Sequence, residues 1–242
     1  MSDVRRISLL DSLDDPWIKL PLVPMRDVGP AVQTLGGLLA ITSTKTFVPN
    51  KEIAERVRMP LATTCRQLVR LHDRGWIVNA GRNRTRTGIL RRTSTIKIPK
   101  RTRDQLEPYG ILPWWSCSKL PWCARAMVSV VLARLCRLKS VVETHEETDL
   151  DRDELVGTIE EYYGEDRFRF SLNWLESHTG LSRPSIISAK QHLHSLGIVS
   201  WSRWRRGDVL YPNWDFAAVI TPRTNGRCSV EFDNGKSQAT RG

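Results

Sequence analysis

The sequence predicts a mainly α-helical chain with small β elements, an α+β class, laid out as two tandem units on one plan. Three observations carry this expectation. The motif Leu-His-x-x-Gly-x-(Ile or Val) is written twice, as LHDRGWI at 71–77 and LHSLGIV at 193–199. Upstream of each copy, apolar residues recur at helical spacing. Downstream of each, short β-prone runs are broken by a basic turn.

In the first copy, PAVQTLGGLLAIT (30–42) places Pro30 at the first helical position and spaces Val32, Leu35 and Leu39 by three and four. FVPNKEIAERV offers Asn50 as N-cap, with Ile53 and Val57 one turn apart. The third helix, in MPLATTCRQLVRLHDR, has Met59, Thr64, Leu68 and Leu71 on its inward side. Gly75 ends it, because the residue after a helix often needs a positive φ that glycine adopts without steric cost. WIVNAG, a basic turn and IKI then read as a hairpin.

The second copy repeats the order. WCARAMVSVVLARLCRLK spaces Val128, Val131, Leu135 and Leu138 as a helix, and FSLNWLESHTG has Ser171 as N-cap with Trp174, Leu175 and His178 on one side. Leu181, Ile186 and Leu193 match Met59, Thr64 and Leu71 in their distance from the closing glycine, here Gly197. Lys190 stands at the position of Leu68, so Ala189 is expected to turn inward instead. IVSWSRW and VLYP form the second hairpin, and the tripeptide KLP precedes the first helix of each copy, at 19–21 and 119–121.

Helix, helix, helix, glycine, strand and basic hairpin is the winged helix-turn-helix plan. The chain therefore resembles two tandem winged-helix domains, mainly α with small β wings. FVPNKEIAERVRMPLATTCRQLVRLHDRGWI is similar to the helix-turn-helix segment of plasmid and phage replication initiators. Those carry a Phe-Pro-x-Asn opening, a Leu-Ala-x-x-Leu-Gly turn and a closing Leu-x-x-Leu-x-x-x-Gly-x-Ile. The second copy resembles the same motif, with its Gly-Leu-Ser turn at 180–182. The first copy departs from it: Arg58 stands where glycine usually turns, and Pro60 where Ser or Thr usually caps, a place where proline is acceptable as the first helical residue. The resemblance covers about residues 16–100 and 119–215. Together with the acidic run and the Gly-, Asn-, Arg- and Ser-rich end, it leads to the expectation of an N-terminal tail (1–15), a first winged-helix domain (16–104), a linker (105–118), a second domain (119–222) with an acidic insertion at 140–167, and a flexible C-terminal tail (223–242).

Charge points to the partner. The formal net charge is +11, yet residues 143–166 hold eleven acids and one Arg. The other 36 Lys and Arg and 15 acids leave +21 on the remainder. From Arg74 to Arg103 there are ten Arg or Lys and no acid, a stretch that repels itself unless it meets an anion. Double-stranded DNA is the expected partner. The acidic insertion is expected either to be solvated or to engage replication or transcription proteins, and a homodimer is allowed. Hydrophobic residues make up 40%, enough for ordinary cores. No apolar run reaches the roughly 20 residues of a membrane helix, and the N-terminus lacks an apolar signal core, so no membrane association is expected. Five scattered cysteines fit a reduced cytoplasm.

The winged-helix plan implies that the third helix enters the major groove with its outward residues near base edges. In the first copy these are Ala62, Thr63, Arg66 and Arg70; in the second, Arg183, Ser185, Ser188 and Gln191. Ala and Thr suit a thymine methyl, Arg a guanine and Gln an adenine. Arg82, Arg84 and Arg86 on the first wing and Arg203, Arg205 and Arg206 on the second are expected to follow phosphates. Trp201 and Trp204 lie among the latter and are assigned to core packing ahead of a ribose platform. Trp114, Trp115 and Trp122 are assigned to packing between the two domains.

No enzyme activity, cofactor or metal is expected. His192 and His194 match a rolling-circle nuclease signature, with Tyr162 and Tyr163 as nucleophiles, but on a helix they point about 200° apart and cannot share a metal. Cys117 and Cys123 lack a second pair at zinc spacing, and no phosphate-cradling Gly-x-x-x-x-Gly-Lys loop occurs. The expected function is sequence-specific DNA binding as a plasmid or phage replication initiator. The alternative is a transcriptional regulator of the same build. A protein-interaction scaffold is disfavoured by the basic wings.

Overall fold

The computed structural model describes residues 3–8, 17–42, 48–84, 90–113, 116, 120–145, 170–204, 207–212, 215–222 and 228–232. The first half contains β1 (Asp3–Ser8), β2 (Trp17–Pro21), α1 (Leu22–Val28), α2 (Ala31–Thr42), α3 (Asn50–Arg56), α4 (Leu61–Asp73), β3 (Val78–Arg84), β4 (Leu90–Lys97) and α5 (Lys100–Arg103). Then come β5 (Tyr109–Pro113), α6 (Trp122–His145), β6 (Phe170–Ser171), α7 (Leu172–Thr179), α8 (Arg183–Ser195), β7 (Val199–Trp204), β8 (Gly207–Pro212), β9 (Asp215–Pro222) and β10 (Cys228–Phe232). The architecture is mainly helical with small antiparallel sheets.

In the first half α2 lies at the centre, packed on β2, α3 and α4. Ala31, Val32, Leu35, Leu38 and Ile41 are buried along it. Its approach to β2 is set by Gly36, where a Cβ would overlap the Lys19 carbonyl oxygen. In the second half α6 takes the central place. From Ala124 to Leu135 it is apolar and buried almost all round, wider than the expected stripe, because it packs on β5 as well as on α7 and α8. A helix covered on several sides needs apolar residues on all of them. It runs on to His145, so residues 140–145 of the expected insertion are helical. Residues 146–169, most of the acidic stretch, lie outside the described residues.

The two halves share one continuous core. β2 pairs with β5, Ile18 opposite Leu112 and Leu20 opposite Gly110, so the stretch expected as a linker contributes a strand beneath α6. β1 and β10 both pair with β9, Val4 opposite Val219 and Val230 opposite Ile220. The stretches expected as N-terminal and C-terminal tails therefore each hold a strand. Main-chain donors and acceptors that would bind water in a tail are satisfied by a partner strand instead.

The local geometry of the two copies agrees at their closing glycines. Gly75 (φ 74) and Gly197 (φ 70) are both left-handed. The Trp76 amide donates to the Leu71 carbonyl at 2.9 Å and the Gly75 amide to His72 at 2.9 Å; Ile198 donates to Leu193 at 3.0 Å and Gly197 to His194 at 2.9 Å. These paired bonds satisfy carbonyls at the helix end that have no intrahelical donor. Ser171 caps α7 as expected, its hydroxyl accepting from the Trp174 amide at 3.2 Å. Asn50 does not cap α3. Pro49 holds the cap position without a side-chain bond, and the Asn50 side chain donates through Nδ2 to Cys65 Sγ at 3.6 Å. Pro60 occupies the cap position of α4 and not the first helical position, so the helix begins one residue later than expected, at Leu61.

Candidate nucleic-acid interface

Burial of Thr64, Leu68 and Leu71 fixes the rotation of α4 about its axis. That rotation leaves Ala62, Arg66 and Arg70 exposed and Thr63 half-buried. Arg66 Nη2 lies 3.5 Å from Thr63 Oγ1. From Arg56 to His72 there is no acid, so nothing in this segment opposes an anion. Two exposed apolar residues share the helix surface and were missed: Leu61 at 48% and Val69 at 60% exposure. The signal was present, since Val69 follows Leu68 directly and so falls outside the inward stripe. Side chains of this kind suit thymine methyl groups.

On α8, Ile186, Ala189, Lys190 and Leu193 are buried: Ala189 is inward as expected, but it joins Lys190 there and does not replace it. Arg183, Ser188 and Gln191 are exposed and Ser185 is half-buried. Arg183 Nη1 donates to Asn173 Oδ1 on α7 at 2.9 Å, which holds the guanidinium at the start of the helix. The Ser182 and Ser185 hydroxyls are 2.9 Å apart. Ile187, at the position of Cys65 in the first copy, is another exposed apolar residue that was missed.

Each third helix leads into an antiparallel pair. β3 and β4 place Arg82 opposite Ser94 and Arg84 opposite Leu90. The register shifts between these two pairs, so side-chain alternation along this hairpin is interrupted, as a bulge does. Arg86 lies outside the described residues. In the second hairpin Arg203 is opposite Asp208 and Trp204 opposite Gly207, while Arg205 and Arg206 lie outside the described residues.

No protein-family model, curated protein or solved structure significantly matches this chain.

The root of the second hairpin corrects one expectation. Trp201 is 40% exposed rather than a core residue. The Lys190 ammonium sits 3.8 Å from its ring centroid, and the His194 ring meets it edge-on at 6.4 Å. Lys190 and His194 are one helical turn apart, so together they form the seat of the indole. Lys190 is itself 3% exposed: its stem takes the place of Leu68 in the core and its charge is met by the ring. His194 Nδ1 also lies 3.1 Å from the Val199 carbonyl oxygen. Trp122 is half-buried against the core with Arg125 over its ring, while Trp114 and Trp115 lie outside the described residues. Cys117, Tyr162 and Tyr163 are outside them too. His192 and His194 both lie on α8, and among the described residues no three His, Cys, Asp or Glu come together as a metal site. No helix among the described residues is long and apolar enough to cross a membrane.

Proposed function

We propose that this chain binds specific double-stranded DNA through two tandem winged-helix domains, acting as a plasmid or phage replication initiator. One observation carries the proposal. Two helices of the same sequence register end in the same glycine-centred pair of bonds, and each leads into an antiparallel hairpin. Each also exposes polar residues free of acids along its N-terminal half. A protein fold needs no such surface for its own stability, whereas a major groove lined by hydrogen-bonding base edges and flanked by phosphates does. The large positive charge of the chain outside its acidic stretch supports the same partner.

The replication role rests on the resemblance of the helix-turn-helix segments to those of plasmid and phage initiators. With no nucleotide-binding loop in the chain, any ATP-driven melting of an origin would fall to a partner protein.

Selection from a random duplex library, followed by footprinting, tests DNA binding. Enrichment of a defined site with protection over two adjacent helical turns, roughly 20 base pairs, is expected. Absence of enrichment would remove the proposal. The selected site is then placed on a plasmid lacking an origin. Replication dependent on this chain supports the initiator role, and promoter control without replication would assign a transcriptional regulator of the same build.

A further inference from the structure

Arg58, in the turn between α3 and α4, has φ 52; it is the one non-glycine residue with positive φ among the described residues. Left-handed backbone costs an L-residue with a Cβ and costs glycine nothing. The equivalent turn of the second copy uses Gly180 at φ 68. Gly180 has two reasons to be glycine. Its backbone is left-handed, and a Cβ there would come within 2.7 Å of Arg26 Cγ and 3.0 Å of Arg26 Cα on α1. Only the first reason applies to the turn at Arg58, which is exposed to solvent.

Non-glycine residues held in left-handed backbone cluster at functional sites, so such an outlier points to a role for its side chain. What Arg58 has and glycine lacks is a guanidinium at the entry to α4. Exposed Arg56, Arg66 and Arg70 lie on the same acid-free segment. In a docked helix-turn-helix, the residues around this turn lie beside the phosphates that border the groove entered by the third helix. A guanidinium is the side chain best shaped to fork onto a phosphate.

We propose that Arg58 is a phosphate-binding residue of the first domain, kept in a strained turn for that purpose; this rests on the DNA-binding function proposed above. At the equivalent place the second domain has Gly180, which carries no side chain of its own. The two domains therefore hold the DNA backbone unequally at corresponding places.

Three variants of the full chain separate charge from strain. Arg58→Ala removes the charge and keeps the Cβ, Arg58→Lys keeps both, and Arg58→Gly removes both. The probe is a labelled mixed-sequence duplex of about 30 base pairs, long enough for two adjacent turns, titrated over a salt series. The expected result is that the slope of log affinity against log salt falls by about 0.9 in the Ala and Gly variants and is retained in the Lys variant. The Gly variant alone should melt higher, by roughly 2–4 °C. A wild-type slope in the Ala and Gly variants would overturn the inference and leave DNA binding by the chain standing. A Gly variant that melts higher at unchanged affinity would overturn it as well, making Arg58 only a tolerated turn residue. If the wild-type chain showed no salt-dependent binding, both this inference and the DNA-binding function would fall.

Discussion

The Arg125 guanidinium donates through Nη1 to the side-chain oxygen of Gln33 at 2.5 Å, and Gln33 donates through Nε2 to the Val57 carbonyl at 2.9 Å. Gln33 is fully buried. One side chain on α2 thus ties the start of α6 to the turn between α3 and α4, joining the halves by a polar bridge inside their shared core.

Replacing Gln33 by Leu keeps the volume and removes both bonds. The expected loss is about 1–3 kcal/mol, because a buried carbonyl and a guanidinium are each left without this partner. Urea unfolding followed by circular dichroism measures it. Wild type and variant should each unfold in one transition, since the core is continuous. Two separate transitions would show that the halves are energetically independent, and an unchanged midpoint would show that the bridge adds no net stability.

Gly36→Ala decides between two opposed effects. Alanine favours a helix interior by up to about 1 kcal/mol over glycine. Here its Cβ would overlap the Lys19 carbonyl oxygen of β2, a main-chain atom that can move only by shifting the strand. Overpacking of this kind costs about 1–3 kcal/mol, so a net destabilisation is expected in thermal melting. A stabilised variant would mean that β2 can retreat from α2.

The first hairpin should hold DNA without reading it. Changing Arg82, Arg84 and Arg86 together to Ala is expected to weaken binding to all duplex sequences alike. The salt slope should fall by roughly 0.9 for each phosphate that the variant no longer neutralises. Equal slopes for variant and wild type would place this hairpin away from the DNA.

Arg66 and Arg183 should read rather than hold. Each changed to Ala is expected to lose discrimination at one base position by about 1–3 kcal/mol, with little change in non-specific affinity. Arg183 also bonds Asn173, so its variant is checked for an unchanged melting temperature first. Wild-type preferences in a site-selection assay for both variants would put the groove-facing surface elsewhere on these helices.

Local features were legible in the sequence because local physics sets them. Gly75 and Gly197 mark left-handed helix ends, and the buried spacing of Leu68 and Leu71, or of Ile186 and Leu193, follows from 3.6 residues per turn. The same periodicity brought Ala62, Arg66, Arg183 and Gln191 to exposed faces. What only the tertiary structure decided depends on partners far away in the chain. Nothing within WIKLP or YGILP specifies that these strands pair with each other, or that α6 is covered on several sides as a result. Lys190 lies in the core with the ring of Trp201, from the following strand, facing its charge. Spacing along one segment sets which way a side chain points. What it meets there is set by segments that arrive from elsewhere, and those meetings decided the burial of Lys190 and the pairing of both chain ends.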